Sequence, residues 1–247
     1  MQANKLTINY KKTNFVLFGD KRQRHSMNIF CSQKTISLVD SVKYLGILID
    51  SKLTWTSCLE NLGEKVASGA SVLFQLQPFA DVHLLRKVYF SLVYSHLIYG
   101  ILNWATANWS SIADLAKLNN RAICSLLKVN RREHILLRDL FYSAWILQIK
   151  DICNYELAKH KKIYHNIFPD YIINGFNISA TAKIRETRQT SKLTYKIPLA
   201  KTLNEQRHSC FRGPTLWNNI PNDFKLVTYF RFCMLQKNYL IDHPHIL

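Results

Sequence analysis

From residue 56 onward the apolar positions recur at intervals of three and four. In WTSCLENLGEKVASGASVLFQL they fall at Leu59, Leu62, Val66, Ala70 and Leu73, which predicts an amphipathic helix from about Thr56 until Pro78 ends it. Thr56 or Ser57 is its expected cap, with Glu60 in the first turn where the helix dipole favours an acid. Asp81 is placed to cap a long helix, VHLLRKVYFSLVYSHLIYGILNWA, apolar on nearly every face and therefore expected to be central. A third helix is predicted from Ser111 through Leu115, Leu118, Ala122, Ile123 and Leu126, and further ones over about 133–141 and 143–168. In RGPTLWNNIPNDFK, Gly213 and Pro214 should start a helical turn, Trp217 anchor it and Pro221 stop it, before a last helix over about 227–241.

The first fifty residues have a shorter period. NFVLFG is a β-rich run ended by Gly19, followed by the polar loop DKRQRHS. SMNIFCSQKTISLVDSVKYLGILID then offers three short apolar pieces separated by polar turns, which predicts two or three antiparallel strands. Gly46 interrupts the run VKYLGILID and is expected to mark a bulge or a close backbone approach. After Pro169 the pattern fades, and residues 174–212 read as a basic extended arm or small subdomain. The expected fold class is an α-rich α+β fold, with residues 1–55 forming a short antiparallel hairpin region, 56–170 a helical bundle, and 171–247 a basic C-terminal extension. No fixed-period repeat or low-complexity segment is visible.

With 247 residues, 48% of them hydrophobic, and only 7 Gly and 6 Pro, the chain can bury a substantial core. Its six cysteines (31, 58, 124, 153, 210, 233) are scattered without a CxxC pair, which favours reduced thiols in an intracellular, nuclear or cytoplasmic protein. The start, MQANKLTINYKK, lacks the apolar stretch of a secretory signal. Residues 91–109 are long enough to span a bilayer, but His96, Asn103 and Asn108 favour a buried core helix and no membrane partner.

Charge changes the picture. The net charge is +17, and residues 1–34 and 183–212 each hold +6 of it, flanking a nearly neutral apolar middle. Clustered cations with interleaved aromatics point to a polyanion, nucleic acid above all, because they release counterions from a phosphate backbone.

Self-sufficient catalytic chemistry is not visible. Two-metal phosphoryl transfer needs converging carboxylates, and the chain has no DD, DxD or DxE. Glu60 and Glu64 read as a surface pair, and Asp50 as a turn or capping residue. His208 with Cys210, and His243 with His245, lack a second ligand pair, so no metal site is expected. GxxxxGK and GxGxxG are absent. Cys124 and Cys153 lie on apolar helix faces and read as structural rather than nucleophilic.

Five segments carry a resemblance. ANKLTINYKKTNFVLFG resembles the NKLxLNxxKT segment that follows the catalytic aspartate pair in reverse transcriptases of non-LTR retrotransposons, LINE-type elements of the jockey-like group. VKYLGILIDSKLTW resembles that family's next block, YLGxxLDxxLxW. LIYGILNWATA is similar to the thumb pattern LxYGxxxWG, with Ala105 where Gly is usual. KLNNRAICSLL resembles the LQxRAxRxI helix, with Ile123 and Cys124 departing from the basic position. GPTLWNNIPNDF is similar to the C-terminal WNxLP signature, with Ile220 for Leu. The matches run in the family's order along nearly the whole chain.

The resemblance implies that residues 1–55 are the end of a polymerase palm, 56–170 its thumb and connection, and 171–247 a basic arm with the WNxxP turn. It implies a primer-grip hairpin in which Tyr44, Leu45 and Gly46 approach the primer backbone, with Trp55 as a hinge-side anchor. Lys12 matches the basic residue of the fourth palm motif, an auxiliary acid for pyrophosphate departure; a phosphate-contacting or solvated lysine beside Lys11 is the alternative. The family's catalytic aspartates, which would bind Mg, precede this segment, so the chain is expected to be a truncated fragment that does not polymerise alone and holds no cofactor. Its expected partners are an RNA/DNA template–primer and the missing palm and fingers. Lys11, Lys12, Lys21, Arg22 and Arg24 form one expected phosphate-contacting cluster, and Arg185, Arg188, Lys192 and Lys196 the other. The rival expectation is a helical scaffold or protein-interaction remnant.

Overall fold

The computed structural model describes residues 9, 13–18, 29–31, 34–129, 135–166, 195 and 197–244. These are mostly helical, with β-structure confined to the N-terminal region, as an α-rich α+β chain should be. The chain divides into two compact units, Met1–Asn61 and Leu62–Leu247.

In the first unit, β1 (Asn14–Phe15) pairs with β3 (Lys34–Leu38), and β3 pairs on its other edge with β2 (Ile29–Cys31). The β2–β3 pairing is antiparallel, with Ile29 opposite Ile36; the β1–β3 pairing is parallel, with Phe15 opposite Leu38. A separate antiparallel hairpin joins β4 (Ser41–Tyr44) to β5 (Ile47–Asp50), with Val42 opposite Ile49 and Tyr44 opposite Ile47. These pairings correct the expectation twice. The sheet contains a parallel pair that the polar breaks do not reveal, and although VKYLGILID forms an antiparallel hairpin of the kind expected in this region, its glycine is not where a bulge would put it. Gly46 is no bulge: with Leu45 it forms the two-residue turn, at φ 84° and 46°. Such turns require positive φ at both positions and usually carry Asn-Gly, so an apolar residue at the first position hid the reversal.

The helix α1 spans Thr56–Leu76, and its five predicted apolar positions are all buried. Its first bond runs from the Leu59 N–H to the Trp55 carbonyl, so Trp55 rather than Thr56 or Ser57 is the capping residue. Glu60 lies beyond the first turn, which contains no acid.

In the second unit Asp81 caps α2 (Val82–Tyr89) as predicted, its carboxylate accepting the Leu84 N–H at 2.7 Å. The expected single helix over 82–105 is instead interrupted twice. A π-helical turn occupies Phe90–Tyr94, and after α3 (Ser95–Ile98) the chain breaks at Gly100, φ 65°, before α4 (Ile101–Trp104). The break is stabilised locally, because the buried Trp104 indole N–H donates to the Tyr99 carbonyl at 3.1 Å. The element is also amphipathic rather than apolar all round; Leu85, Tyr89, Val93 and Leu97 are buried, whereas Val82, Leu84, Leu92 and Tyr99 are exposed. Its π turn lies against α1 at Gly69, where an added Cβ would stand 2.7 Å from the Leu92 carbonyl oxygen.

The next helix, α5, begins at Trp109 rather than Ser111 and runs to Leu126; Leu115, Ala122, Ile123 and Leu126 are buried and Leu118 half-buried. A buried hydrogen bond of 3.0 Å from the Tyr89 hydroxyl to Asn119 Oδ1 ties α2 to α5. The following pair is α6 (Leu137–Ala144) and α7 (Ile149–Asn166), separated where Trp145 adopts φ 54°; the predicted start near Glu133 lies outside the described residues. Arg86 donates to the Ala144 carbonyl at this break.

The C-terminal helices are α8 (Leu203–Arg207), α9 (Ser209–Asn219), α10 (Asn222–Leu226) and α11 (Tyr229–Asp242). Gly213 and Pro214 lie inside α9 instead of starting it, since the helix gains an earlier turn over SCFR and forgoes the bond that Pro214 cannot donate. Trp217 is the anchor expected: with Leu157, Ala158, Leu216, Ile220 and Phe232 it forms a buried cluster joining α7, α9 and α11.

Candidate nucleic-acid interface

Hydrogen bonding across β4 and β5 puts Val42, Tyr44, Ile47 and Ile49 on one face and Lys43 and Leu48 on the other. The tight turn projects the end of this ribbon into solvent: Tyr44 is 63% exposed and Leu45 73%. Leu45 holds a left-handed conformation that costs a residue with a Cβ about 1–2 kcal/mol. Lys43 and Lys52 are exposed nearby in sequence.

The base of the hairpin is locked by Asp50. One carboxylate oxygen accepts from the N–H groups of Lys52 (3.1 Å) and Thr54 (2.9 Å) and from the Thr54 hydroxyl (3.2 Å); the other accepts the Trp55 N–H at 2.7 Å. Partial burial acts to raise its pKa, but the donors from Thr54, Trp55 and Lys52 outweigh it and hold the carboxyl below its ordinary value. The network fixes Leu53 at φ 54° and Trp55 at φ 63°, both left-handed. Asp50 therefore acts as a turn and capping residue, as its position suggested. Among the described residues no group of three His, Cys, Asp or Glu side chains is placed to hold a metal ion.

Of the residues singled out from sequence, the structure brings together Tyr44, Leu45 and Gly46 at the hairpin tip. Lys11, Lys12, Lys21, Arg22 and Arg24, and likewise Arg185, Arg188, Lys192 and Lys196, lie outside the described residues. Of the span read as an extended arm, residues 203–207 and 209–212 are helical instead, and Tyr195 is held by Asn218. Asn218 accepts the Tyr195 N–H and donates to the Tyr195 carbonyl, both at 2.8 Å, while the Tyr195 ring meets Trp217 edge-on at 6.3 Å. The Trp-Asn pair of the WNNIP segment thus holds Tyr195 by ring and by backbone.

Lysines surround this latch. Lys161 lies over the Tyr195 ring at 5.1 Å, Lys225 over Trp217 at 5.8 Å and Lys162 over Phe232 at 5.7 Å. Lys162 donates to the Lys225 carbonyl at 2.5 Å, and burial lowers the pKa of all three.

Among the described residues of the helical unit, clefts open at two places of note. One, of about 630 Å³ between α1 and α5, is lined by Phe74, Leu118, Arg121, Cys124 and Lys128. The other, of about 700 Å³, lies among α5, α7, α8 and α9; Trp109, Phe211, Lys150, Arg207 and Arg212 line it, and no carboxylate does. Sequence reasoning singled out Leu118, Cys124 and Cys153 as helix-face residues but missed the aromatic and basic residues of both clefts. Cys153 forms part of the second cleft's floor; burial pushes its thiol up against the lowering influence of Arg212, which keeps it protonated.

No helix among the described residues is long and apolar enough to cross a membrane. No family model, curated protein or solved structure matches the chain.

Proposed function

We propose that the chain is the end of the palm, the thumb and the C-terminal region of an RNA-directed DNA polymerase of the non-LTR, jockey-like type. In this reading it grips template–primer nucleic acid through phosphates and does not add nucleotides itself. The observation that carries the reading is the hairpin tip: Tyr44, Leu45 and Gly46 stand exposed on a two-residue turn, where backbone approach to a strand is sterically open. The order of the five sequence segments supports it, as does the +17 net charge. The absence of any paired aspartate in the sequence is the reason no nucleotide addition is assigned.

Titration of a labelled RNA/DNA hybrid with the full chain at two ionic strengths tests this. Neutralising about six phosphates gives a log–log salt slope near −5, and Tyr44→Ala with Leu45→Ala should weaken hybrid binding without unfolding the protein. Salt-indifferent binding contradicts the reading.

A scaffold function is the second reading, favoured by the exposure of Phe79 (88%) and Phe230 (85%). It requires no hybrid affinity.

A further inference from the structure

The cleft among α5, α7, α8 and α9 has two chemistries arranged in layers. Its floor is apolar and buried, made of Ala107, Ile112, Ile149 and Cys153. Above the floor are two aromatic side chains from different helices, Trp109 at the first position of α5 and Phe211 in α9. Trp109 is 53% exposed, unusual for a large ring beside an apolar cavity with room to receive it. The wall carries Lys150, Arg207 and Arg212.

Each arginine donates to an amide oxygen. Arg212 donates to Asn154 Oδ1 at 2.8 Å, and Asn154 is itself buried; Arg207 donates to Asn108 Oδ1. Arg212 also bonds the Cys153 thiol, and neither the amide nor the protonated thiol neutralises its guanidinium, so its positive charge lines the cleft and can attract a planar or tetrahedral anion. The one acid of α8, Glu205, is engaged elsewhere, accepting the N–H groups of Lys201 and Thr202 in a capping box. A volume near 700 Å³ is within the range of small-molecule sites.

An anion alone would not need the rings, and an apolar ligand would not need the cations. We propose that this cleft binds a nucleoside phosphate unit, its base against Trp109 and Phe211 and its phosphate on Arg207, Arg212 and Lys150. The site shares no residue with the hairpin tip and does not depend on the polymerase reading. The unit could arrive as a free nucleotide or as one residue of a single strand, and the chemistry recognised is the same.

The test uses the full 247-residue chain. Adenosine monophosphate and a fluorescein-labelled single-stranded oligonucleotide are titrated separately, with a polyglutamate peptide as a control anion. Trp109→Ala should weaken binding roughly 5- to 100-fold, the loss expected of one stacked base, while Trp109→Phe should retain most of it. Lys150→Gln, at an exposed position, should weaken binding several-fold and reduce its salt dependence, and circular dichroism verifies that each variant is folded. Binding of both probes, or of either one alone with these losses, supports the site and identifies the source of its ligand. Failure of both probes to bind, unchanged affinity in Trp109→Ala and Lys150→Gln, or equal binding of polyglutamate would overturn it. Tyr44→Ala, carried in parallel, should leave adenosine monophosphate binding unchanged; its effect on the RNA/DNA hybrid reports on the hairpin alone.

Discussion

Asp50 Oδ2 accepts the backbone N–H of Trp55 at 2.7 Å, closing a loop in which one carboxylate holds two left-handed residues in place. This joins the end of the hairpin to the start of α1: the Trp55 carbonyl accepts that helix's first bond. The segment DSKLTW is thus a hydrogen-bonded turn, and its acid is structural.

Asp50→Ala should lower stability by about 1.5–3 kcal/mol, the range for a hydrogen bond to a charged group. Asp50→Asn, which keeps one acceptor, should lose less. The folded pKa is depressed, so the contribution is present above the unfolded value and fades as pH falls through the folded one. Denaturant unfolding at pH 7 and in acid should show the gap between wild type and Asp50→Asn narrowing in acid.

Two glycines of α1 make a matched pair. Gly69→Ala pushes a methyl group against the Leu92 carbonyl at the π turn and should cost about 1–3 kcal/mol. Gly63→Ala meets only the Leu118 side chain, at 3.8 Å, and should be neutral or stabilising by up to about 1 kcal/mol through helix propensity. Thermal melts of the two variants distinguish them.

Asn218→Ala removes both hydrogen bonds to Tyr195 and should release that residue from Trp217. The amide of Tyr195 should then exchange its hydrogen faster, and proteolysis nearby should accelerate, while the α7–α9–α11 core persists. An unchanged exchange rate would mean that these two hydrogen bonds do not hold Tyr195 in place.

Lys162→Met exchanges a desolvated ammonium for an apolar chain of similar length but takes the donor from the Lys225 carbonyl, so its cost near pH 7 should not exceed about 1–3 kcal/mol. Burial lowers the folded pKa of Lys162, so between that value and the unfolded one the unfolded state binds more protons. Raising the pH from 7 toward 10 should therefore shift the comparison in favour of wild type, as measured by urea unfolding.

Periodicity was a reliable guide where one face meets one neighbour. Leu59, Leu62, Val66, Ala70 and Leu73 could be read directly, as could the Asp81 cap and the Trp217 anchor. It failed where the chain reverses without the usual turn residues: Leu45 and Gly46 reverse an apolar run, and Trp145 ends α6 in a conformation usually left to glycine. The break at Gly100 was masked for a different reason, since Trp104 supplies from four residues away the hydrogen-bond donor that makes it tolerable. The second cleft was illegible because Trp109, Lys150, Arg207 and Arg212 come from four helices and meet only in three dimensions. The hairpin tip was legible as a segment, although Gly46 sits in its turn rather than in a bulge.

The salt dependence of hybrid binding tests the central claim most directly. The full chain should bind an RNA/DNA duplex with a log–log slope near −5, and replacing Arg185, Arg188, Lys192 and Lys196 with Gln should make the slope shallower by roughly 3–4, close to one unit for each phosphate that is no longer neutralised. A wild-type slope near zero, or a slope unmoved by those four substitutions, would contradict the assignment of this chain to phosphate-backbone recognition.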